Sequence, residues 1–151
     1  MIVISEVTAV AADVVEAFGR LFPQLTALKP PDHGALDDAV RDPNTRIFIV
    51  RDTGVPSARI VGTATLVLYR TPLGLRAWME DVVVDGSVRG KGVGTLLCQM
   101  VIEQACAAGA VTLNLTSEPS REAANRLYQR LGFEQRHTNV YRYFLQKSRP
   151  G

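Results

Sequence analysis

The chain has 151 residues, 46% of them hydrophobic and 21% charged, which is typical of one globular domain with a single core. Its net charge of +2, from 17 basic and 15 acidic residues, is too small to indicate nucleic acid as the main partner. No apolar stretch approaches the roughly 20 residues of a membrane span, and the N-terminus lacks the pattern of a signal peptide, so we expect a single cytoplasmic domain over 1–151 with no membrane partner.

The first half of the chain predicts a strand, two helices and a three-stranded meander. Apolar residues recur at helical spacing from Val10 to Leu21, and a shorter helix is predicted near 34–41. The proline-bearing segment 23–43 is either a simple connection between helices or a mobile wall of a substrate site. Runs that are rich in β-branched residues and bounded by turn residues predict strands at 2–8, 45–51, 59–69 and 75–84.

The second half predicts a glycine-rich turn followed by alternating helices and strands. A helix of about four turns is predicted from Val93 to the stop at Gly109, then a short apolar strand at 111–115. A strand, a crossover helix and a strand imply parallel pairing between 75–84 and 111–115. The remaining elements are a helix that ends at Gly132, strands at 133–136 and 139–145, and a polar tail at 146–151.

The element order therefore predicts an α+β domain with a mixed sheet of about six to seven strands and about four helices. Cys98 and Cys106 fall eight residues apart in one predicted helix. They would lie roughly 12 Å from each other, which is beyond disulfide reach. With the two histidines scattered, no metal-ligand spacing is present and no metal site is predicted.

The glycine-rich turn Arg89-Gly90-Lys91-Gly92-Val93-Gly94 sits between a strand and a helix start, where backbone N–H groups and the helix dipole favour an anion. A nucleotide P-loop needs G-x-x-x-x-G-K-[ST], but the glycines here are one residue too close and Gly92 replaces the Ser/Thr. A dinucleotide fingerprint needs G-x-G-x-x-G, but the spacing here is G-x-G-x-G. Neither motif fits the turn.

Arg89-x-x-Gly92-x-Gly94, preceded by the V-V-V-D strand end and followed later by Leu127-Tyr128-x-x-x-Gly132-Phe133, resembles the GNAT (GCN5-related N-acetyltransferase) superfamily. The resemblance covers residues 2 to 145 and the order of elements matches. It implies the acyl-CoA N-acyltransferase fold, with acetyl-CoA as cosubstrate and CoA as product.

The resemblance also implies where acetyl-CoA binds. The diphosphate would meet backbone amides of the glycine turn, and the pantetheine arm would pair with the strand end, where the strands 75–84 and 111–115 splay apart. The side chains of Arg89 and Lys91 either contact phosphates or are solvated. The residues expected to bind the cosubstrate are Val82, Val83, Val84, Arg89, Gly90, Lys91, Gly92, Val93, Gly94, Thr95 and Asn125.

Glu80 is the candidate general base. Strand alternation places it on the face of Trp78, Val82 and Val84, where apolar neighbours would raise its pKa toward neutrality. Asp81 would point to the opposite face unless a bulge intervenes. A structural alternative for Glu80 is an ion pair with an arginine, and the base could act directly or through water.

Tyr128 is the candidate acid, because it matches the family tyrosine near the sulfur of acetyl-CoA and a phenol can protonate a leaving thiolate. Its alternative is a buried core aromatic. Many family members carry Asn seven residues before this tyrosine, where this chain has Arg121. Asn125 could take over part of that contact. Arg121 at a helix start indicates a nearby anion, which is either a CoA phosphate or a structural carboxylate.

We therefore expect an N-acetyltransferase in which a primary amine attacks the thioester directly in a ternary complex, with the Val82 amide as a candidate for polarising the carbonyl. Neither cysteine is placed for a covalent route. The acceptor is a small molecule (amino sugar, amino acid or polyamine) or a protein amine. Arg70 and Arg76 either attract an acidic amine or are solvated. A non-catalytic acyl-CoA-binding regulatory module is the alternative function, and a homodimer through the last strands is possible.

Overall fold

A mixed sheet in the order β1-β2-β3-β4-β5 organises the chain in the computed structural model, which describes residues 1–146. The first four strands pair antiparallel, and β4 pairs parallel with β5. The meander and the parallel crossover are thus confirmed. In the described residues the strands are β1 Ile2–Glu6, β2 Thr45–Asp52, β3 Arg59–Thr71, β4 Gly74–Val84 and β5 Leu113–Asn114; the helices are α1 Ala12–Leu21, α2 His33–Arg41, α3 Val93–Ala107 and α4 Glu122–Arg130.

Helices cover both faces of the sheet and divide the core in two. On one face, α1 and α2 pack against Ile47, Ile49 and Ile60, with Phe18 and Leu21 fully buried. On the other face, α3 and α4 pack against the alternate residues of β2, β3 and β4. Burial of each large apolar side chain stabilises the fold by about 1.5–3 kcal/mol. No helix among residues 1–146 is long and apolar enough to cross a membrane.

A glycine in β3 lets α3 approach the sheet. A Cβ at Gly62 would lie 3.0 Å from Val93 Cγ1 and 3.1 Å from Leu97 Cδ1. The β2–β3 pairing is irregular beside this glycine, because the register shifts between the pairs Val50–Gly62 and Arg51–Ile60. Gly62 therefore fixes how closely the helix that follows the glycine turn rests on the sheet.

The strands predicted at 133–136 and 139–145 are wrong, so the described sheet has five strands instead of six to seven. The alternating sequence of the segment is typical of a strand, but a strand forms only with a neighbour to receive its hydrogen bonds. β5 is two residues long and offers no such ladder within residues 1–146. The predicted polar tail lies, from residue 147 onward, outside the described residues.

Candidate active site

The glycine turn is held open by two left-handed residues. Gly90 and Gly92 both have φ of +80°, and nothing lies within 4 Å of a Cβ placed on either one. Residues with a side chain rarely adopt this backbone conformation, so both positions favour glycine. Helix α3 begins directly after Gly92, which acts as its N-cap without any side chain to cap the first turn.

The backbone N–H groups of residues 92–95, at the start of α3, have no hydrogen-bond partner in the described chain. The first helical bond at this end runs from Leu96 N–H to the Gly92 carbonyl, at 3.0 Å. A row of free donors at a helix N-terminus attracts an anion such as a diphosphate. The exposed Arg89 and Lys91 side chains form no ion pair with any described residue, so their charge adds to this potential.

Gly94 serves close packing. A Cβ on Gly94 would lie 3.0 Å from Leu127 Cδ2 of α4 and 3.7 Å from Val84 Cγ2. The glycine therefore brings the N-terminus of α3 against α4 and the end of β4. Through this contact the helix that carries Tyr128 rests against the glycine turn.

Strands β4 and β5 separate next to this turn. They pair only at Ala77–Leu113 and Trp78–Asn114, so the edge of β4 beyond Trp78 has no neighbouring strand in the described chain. The predicted splay is present, and Val82, Val83 and Val84 lie along this open edge. An open edge supplies backbone donors and acceptors that an extended amide-bearing ligand can use.

A β-bulge at Asp81 changes the faces of β4. Glu80 pairs with Thr65 and Val83 pairs with Thr63, so β4 carries one residue more than β3 across this interval. Asp81 is the extra residue and has φ of +53°. Alternation therefore breaks, and Val82 and Val84 pack on the α3 face with Met79.

The predicted face of Glu80 is accordingly corrected. Glu80 shares a face with Trp78 and Val83 on the side of α1 and α2, and Val82 and Val84 lie on the opposite face. The Glu80 carboxyl remains accessible to solvent. Partial burial and the neighbouring Asp81 carboxylate raise its pKa above 4.5, although the charge of Arg142 lowers it. Burial also raises the pKa of Asp81.

Tyr128 is buried at the inner side of α4, with 8% of its surface exposed. Its ring meets Phe133 edge-on, with the ring centres 5.8 Å apart. Burial raises the pKa of the phenol, the nearby Cys98 adds to this, and the charge of Arg121 partly opposes it. The hydroxyl makes no hydrogen bond within the described chain, so its proton is available to a ligand.

Asn125 and Arg121, which were expected to replace the usual family asparagine, have different surroundings. Asn125 donates its side-chain amide to the Glu118 carbonyl, at 3.0 Å, and so closes the turn before α4. Arg121 is the N-cap residue of α4, but its side chain makes no capping hydrogen bond. Its positive charge lowers the pKa of Tyr128. Arg121 forms no ion pair with a described carboxylate.

Sequence reasoning missed the anchor of the glycine turn. Asp85, 5% exposed, accepts hydrogen bonds at one oxygen from the Ser87 N–H and hydroxyl, each at 3.0 Å. Its other oxygen accepts from Arg20 at 2.8 Å and from Arg59 at 2.9 Å. Burial opposes ionisation of Asp85, but these hydrogen bonds and charges hold its pKa below 3.8. The Asp-x-Ser spacing signals the local turn, whereas nothing local signals the arginines.

A second pair that was not predicted lies on the face of Glu80. The Trp78 indole N–H donates to the Tyr69 hydroxyl at 3.1 Å, which joins the two aromatic side chains. Arg76 is opposite Tyr69 in the β3–β4 register, and alternation places it on the same face. This face therefore combines an aromatic wall, a cation and the candidate base.

The two cysteines have no role in the proposed proton transfers. Cys98 is fully buried in α3, and burial raises its pKa to about 11. Cys106 is exposed, and the two thiols are free. Within residues 1–146, no group of three or more His, Cys, Asp or Glu side chains is arranged to hold a metal ion.

Comparison with known proteins gives a consistent result. The sequence profile of the Acetyltransferase (GNAT) family matches residues 11–133. A rice protein (Oryza sativa subsp. japonica) named probable glucosamine 6-phosphate N-acetyltransferase 2 is 31% identical over 144 residues, covering 89% of this chain and 84% of the relative. N-alpha-acetyltransferase 30 of Schizosaccharomyces pombe is 35% identical over 71 residues, which is 47% of each chain.

Among solved structures, the crystal structure of glucosamine-6-phosphate N-acetyltransferase from Arabidopsis thaliana superimposes with a TM-score of 0.79. The match covers 95% of this chain and 99% of that one, at 20% sequence identity. At this identity the likeness shows the fold alone.

Proposed function

The chain belongs to the acetyltransferase (GNAT) family, and we propose that it moves the acetyl group of acetyl-CoA to the primary amine of an amino sugar phosphate by direct attack in a ternary complex. One observation carries the proposal. A single continuous segment, from β4 through the glycine turn into α3, holds the accessible Glu80 carboxyl, an open strand edge and a row of unpartnered amides.

The chain fits acetyl-CoA at three points. The free N–H groups of residues 92–95 suit a diphosphate, with Arg89, Lys91 and the Thr95 hydroxyl beside them. The open edge of β4 at 82–84 suits the amides of an extended arm. Bound there, acetyl-CoA supplies an activated acetyl group on a thiol leaving group.

Glu80 and Tyr128 would provide the two proton movements of acetyl transfer. Glu80 takes a proton from the ammonium, directly or through a water, so that the nitrogen lone pair can attack. The C–N bond forms as the C–S bond breaks, and the Tyr128 hydroxyl protonates the departing sulfur. A raised carboxyl pKa strengthens the base, and a raised phenol pKa keeps the acid protonated at neutral pH. Cys98 is too buried to form an acyl-enzyme.

The acceptor class rests on the face of Glu80 together with the relatives. The rice relative is named for glucosamine 6-phosphate, and the Arabidopsis protein of the same fold carries the same name. The hydrogen-bonded Trp78 and Tyr69 side chains offer aromatic surface for a sugar ring, and Arg76 offers a cation for a phosphate.

The test is the release of CoA thiol with a panel of amines. We expect turnover with glucosamine 6-phosphate, weaker turnover with glucosamine, and none with polyamines or an N-terminal peptide. Tyr128→Phe should lower kcat about 100-fold, while acetyl-CoA still raises the melting temperature of the variant.

Two results would count against the proposal. Turnover of the N-terminal peptide alone would overturn the acceptor class and favour a protein substrate. Acetyl-CoA that raises the melting temperature without turnover of any amine would instead support a non-catalytic acyl-CoA-binding module.

A further inference from the structure

A surface depression of about 330 Å³ lies where helix α1 meets the end of β2 and the start of β3. A volume of this size suits a small molecule. Ile60 in its lining lies five residues before Thr65, the partner of Glu80, which is roughly 16 Å along the strand. The depression is therefore separate from the face of Glu80. Its charged lining residues are Asp13, Glu16, Arg20, Arg51 and Arg59.

Two of these arginines have hydrogen-bonding capacity left, since a guanidinium carries five N–H donors. Arg59 donates only from Nη2, to Asp85 at 2.9 Å. Arg51 uses only Nη1, against Asp13 at 2.7 Å and the Ala58 carbonyl at 3.4 Å. The two side chains are 44% and 30% exposed, so within residues 1–146 their remaining donors are open to a ligand.

A carboxylate lines the same depression. Glu16 is 65% exposed and pairs with Arg20 Nε at 3.2 Å, which leaves its second oxygen without a partner in the described chain. A simple anion would be repelled by this carboxylate, and a simple cation would be repelled by the arginines. A small molecule that carries both a carboxylate and an ammonium is attracted by both sets of charges.

We propose that this depression is an effector site for a free α-amino acid. The carboxylate of the amino acid accepts hydrogen bonds from the unused donors of Arg51 and Arg59, and its ammonium donates to Glu16. Hydrogen bonds between two charged groups are stronger than neutral ones, and a guanidinium can hold a carboxylate with two donors. Both charged groups of the amino acid are then bound.

The effector site reaches the glycine turn through Arg59. This arginine also binds Asp85, which accepts from Ser87 and so fixes the turn that leads into the glycines. A ligand carboxylate on Arg59 offsets part of the positive charge that stabilises Asp85, so the turn is held less tightly and CoA binds more weakly. This coupling rests on the proposed function, because it requires CoA at the glycine turn, whereas binding of the amino acid does not.

Calorimetry on the full chain tests the effector site. We expect at least one of L-alanine, L-glutamate and L-arginine to bind with a Kd below about 1 mM. The N-acetyl derivative and the amide of that amino acid should each bind at least about tenfold more weakly, because one lacks the ammonium and the other lacks the carboxylate. No binding by any of the three amino acids, or equal affinity for either derivative, would overturn the proposal.

Substitutions locate the bound amino acid. Arg51→Gln and Glu16→Gln should each raise its Kd about tenfold, and using two variants keeps the test intact if one of them does not fold. The matched control is Arg41→Gln, which should bind as the wild type does, because Arg41 is 79% exposed and pairs with Asp37 within α2. Wild-type affinity in either test variant would place the amino acid elsewhere and refute the assignment.

CoA measures the coupling, because it carries the diphosphate but no acetyl group to transfer. A saturating amino acid should raise the Kd of CoA about fivefold and no further, and saturating CoA should raise the Kd of the amino acid by the same factor. In Asp85→Asn the factor should fall towards one.

A Kd of CoA that keeps rising with the amino acid would indicate direct competition, and an unchanged Kd would show that the two sites are independent. Either result would overturn the coupling. CoA that does not bind at all would overturn the proposed function and the coupling together, but it would leave the amino acid site standing.

Discussion

The carboxylate of Asp85 should control how tightly the glycine turn is held. Asp85→Asn keeps the size of the side chain and an oxygen that can accept from Ser87, but it removes the charge that Arg20 and Arg59 share. The residue is 5% exposed, so water cannot easily replace the lost interaction.

The size of the stability loss follows from the solvent exposure of Arg20 and Arg59. Breaking a fully buried ion pair costs about 3–5 kcal/mol, but the Arg20 and Arg59 side chains are 21% and 44% exposed, so solvent compensates for part of the loss. We expect Asp85→Asn to lower the free energy of unfolding by about 2 kcal/mol, or roughly 4–8 °C in melting temperature. The control is Asp13→Asn. Asp13 pairs with Arg51 at 2.7 Å but is 51% exposed, so we expect less than about 0.5 kcal/mol.

The same variant should loosen the binding of acetyl-CoA. Because Asp85 fixes the turn that leads into 89–95, we expect the KM for acetyl-CoA to rise about tenfold in Asp85→Asn and to stay unchanged in Asp13→Asn. Thermal melting and steady-state kinetics on both variants measure the two effects. If Asp85→Asn melts within a degree of Asp13→Asn, or if its KM is unaltered, the turn is not anchored in this way.

The pH dependence gives a further check. The pKa of Asp85 is held below 3.8, so its ion pairs contribute stability at every pH above the unfolded value and lose it as the pH falls through the folded one. The stability difference between wild type and Asp85→Asn should therefore be constant from about pH 5 to 8 and shrink only below about pH 4. A difference that disappears near neutral pH would contradict the assignment.

Glu80→Gln should lower kcat about 100-fold and abolish the acidic limb of the pH–rate profile, whereas Glu103→Gln on the exposed side of α3 should retain both. Because the Glu80 pKa is raised, wild-type activity should fall as the pH drops through a value above 4.5; an acidic limb that persists in Glu80→Gln would exclude this carboxyl as its source. Gly92→Ala should destabilise the fold by about 1–2 kcal/mol, because φ is +80° there, and should weaken acetyl-CoA binding. Gly19→Ala, in helix α1 with nothing within 4 Å of the added Cβ, should instead stabilise by about 0.5–1 kcal/mol; equal urea midpoints for the two variants would refute the strain argument.

Features set by neighbouring residues could be predicted from the sequence. The meander, the crossover from β4 through α3 to β5, and the bend at Gly92 follow from hydrophobic period and turn residues. Features set by distant residues could not. Asp85 meets Arg59 and Arg20 from 26 and 65 positions away, and no local pattern links them. The strand predicted at 139–145 failed for the same reason, because alternation indicates a strand but does not specify its partner.

The bulge at Asp81 would let one strand contact both ligands of the proposed reaction. In a regular strand Glu80, Val82 and Val84 would all lie on the face of Trp78, away from α3. The extra residue reverses the alternation after Glu80, so Glu80 stays on the face of Trp78 while Val82 and Val84 pack toward α3 beside the open edge. A left-handed non-glycine residue costs on the order of 1–3 kcal/mol, and such strain persists where the surrounding structure requires it. Here it separates the face of Glu80, where we propose that the acceptor binds, from the edge proposed for acetyl-CoA within three residues, which a strand without a bulge could not do.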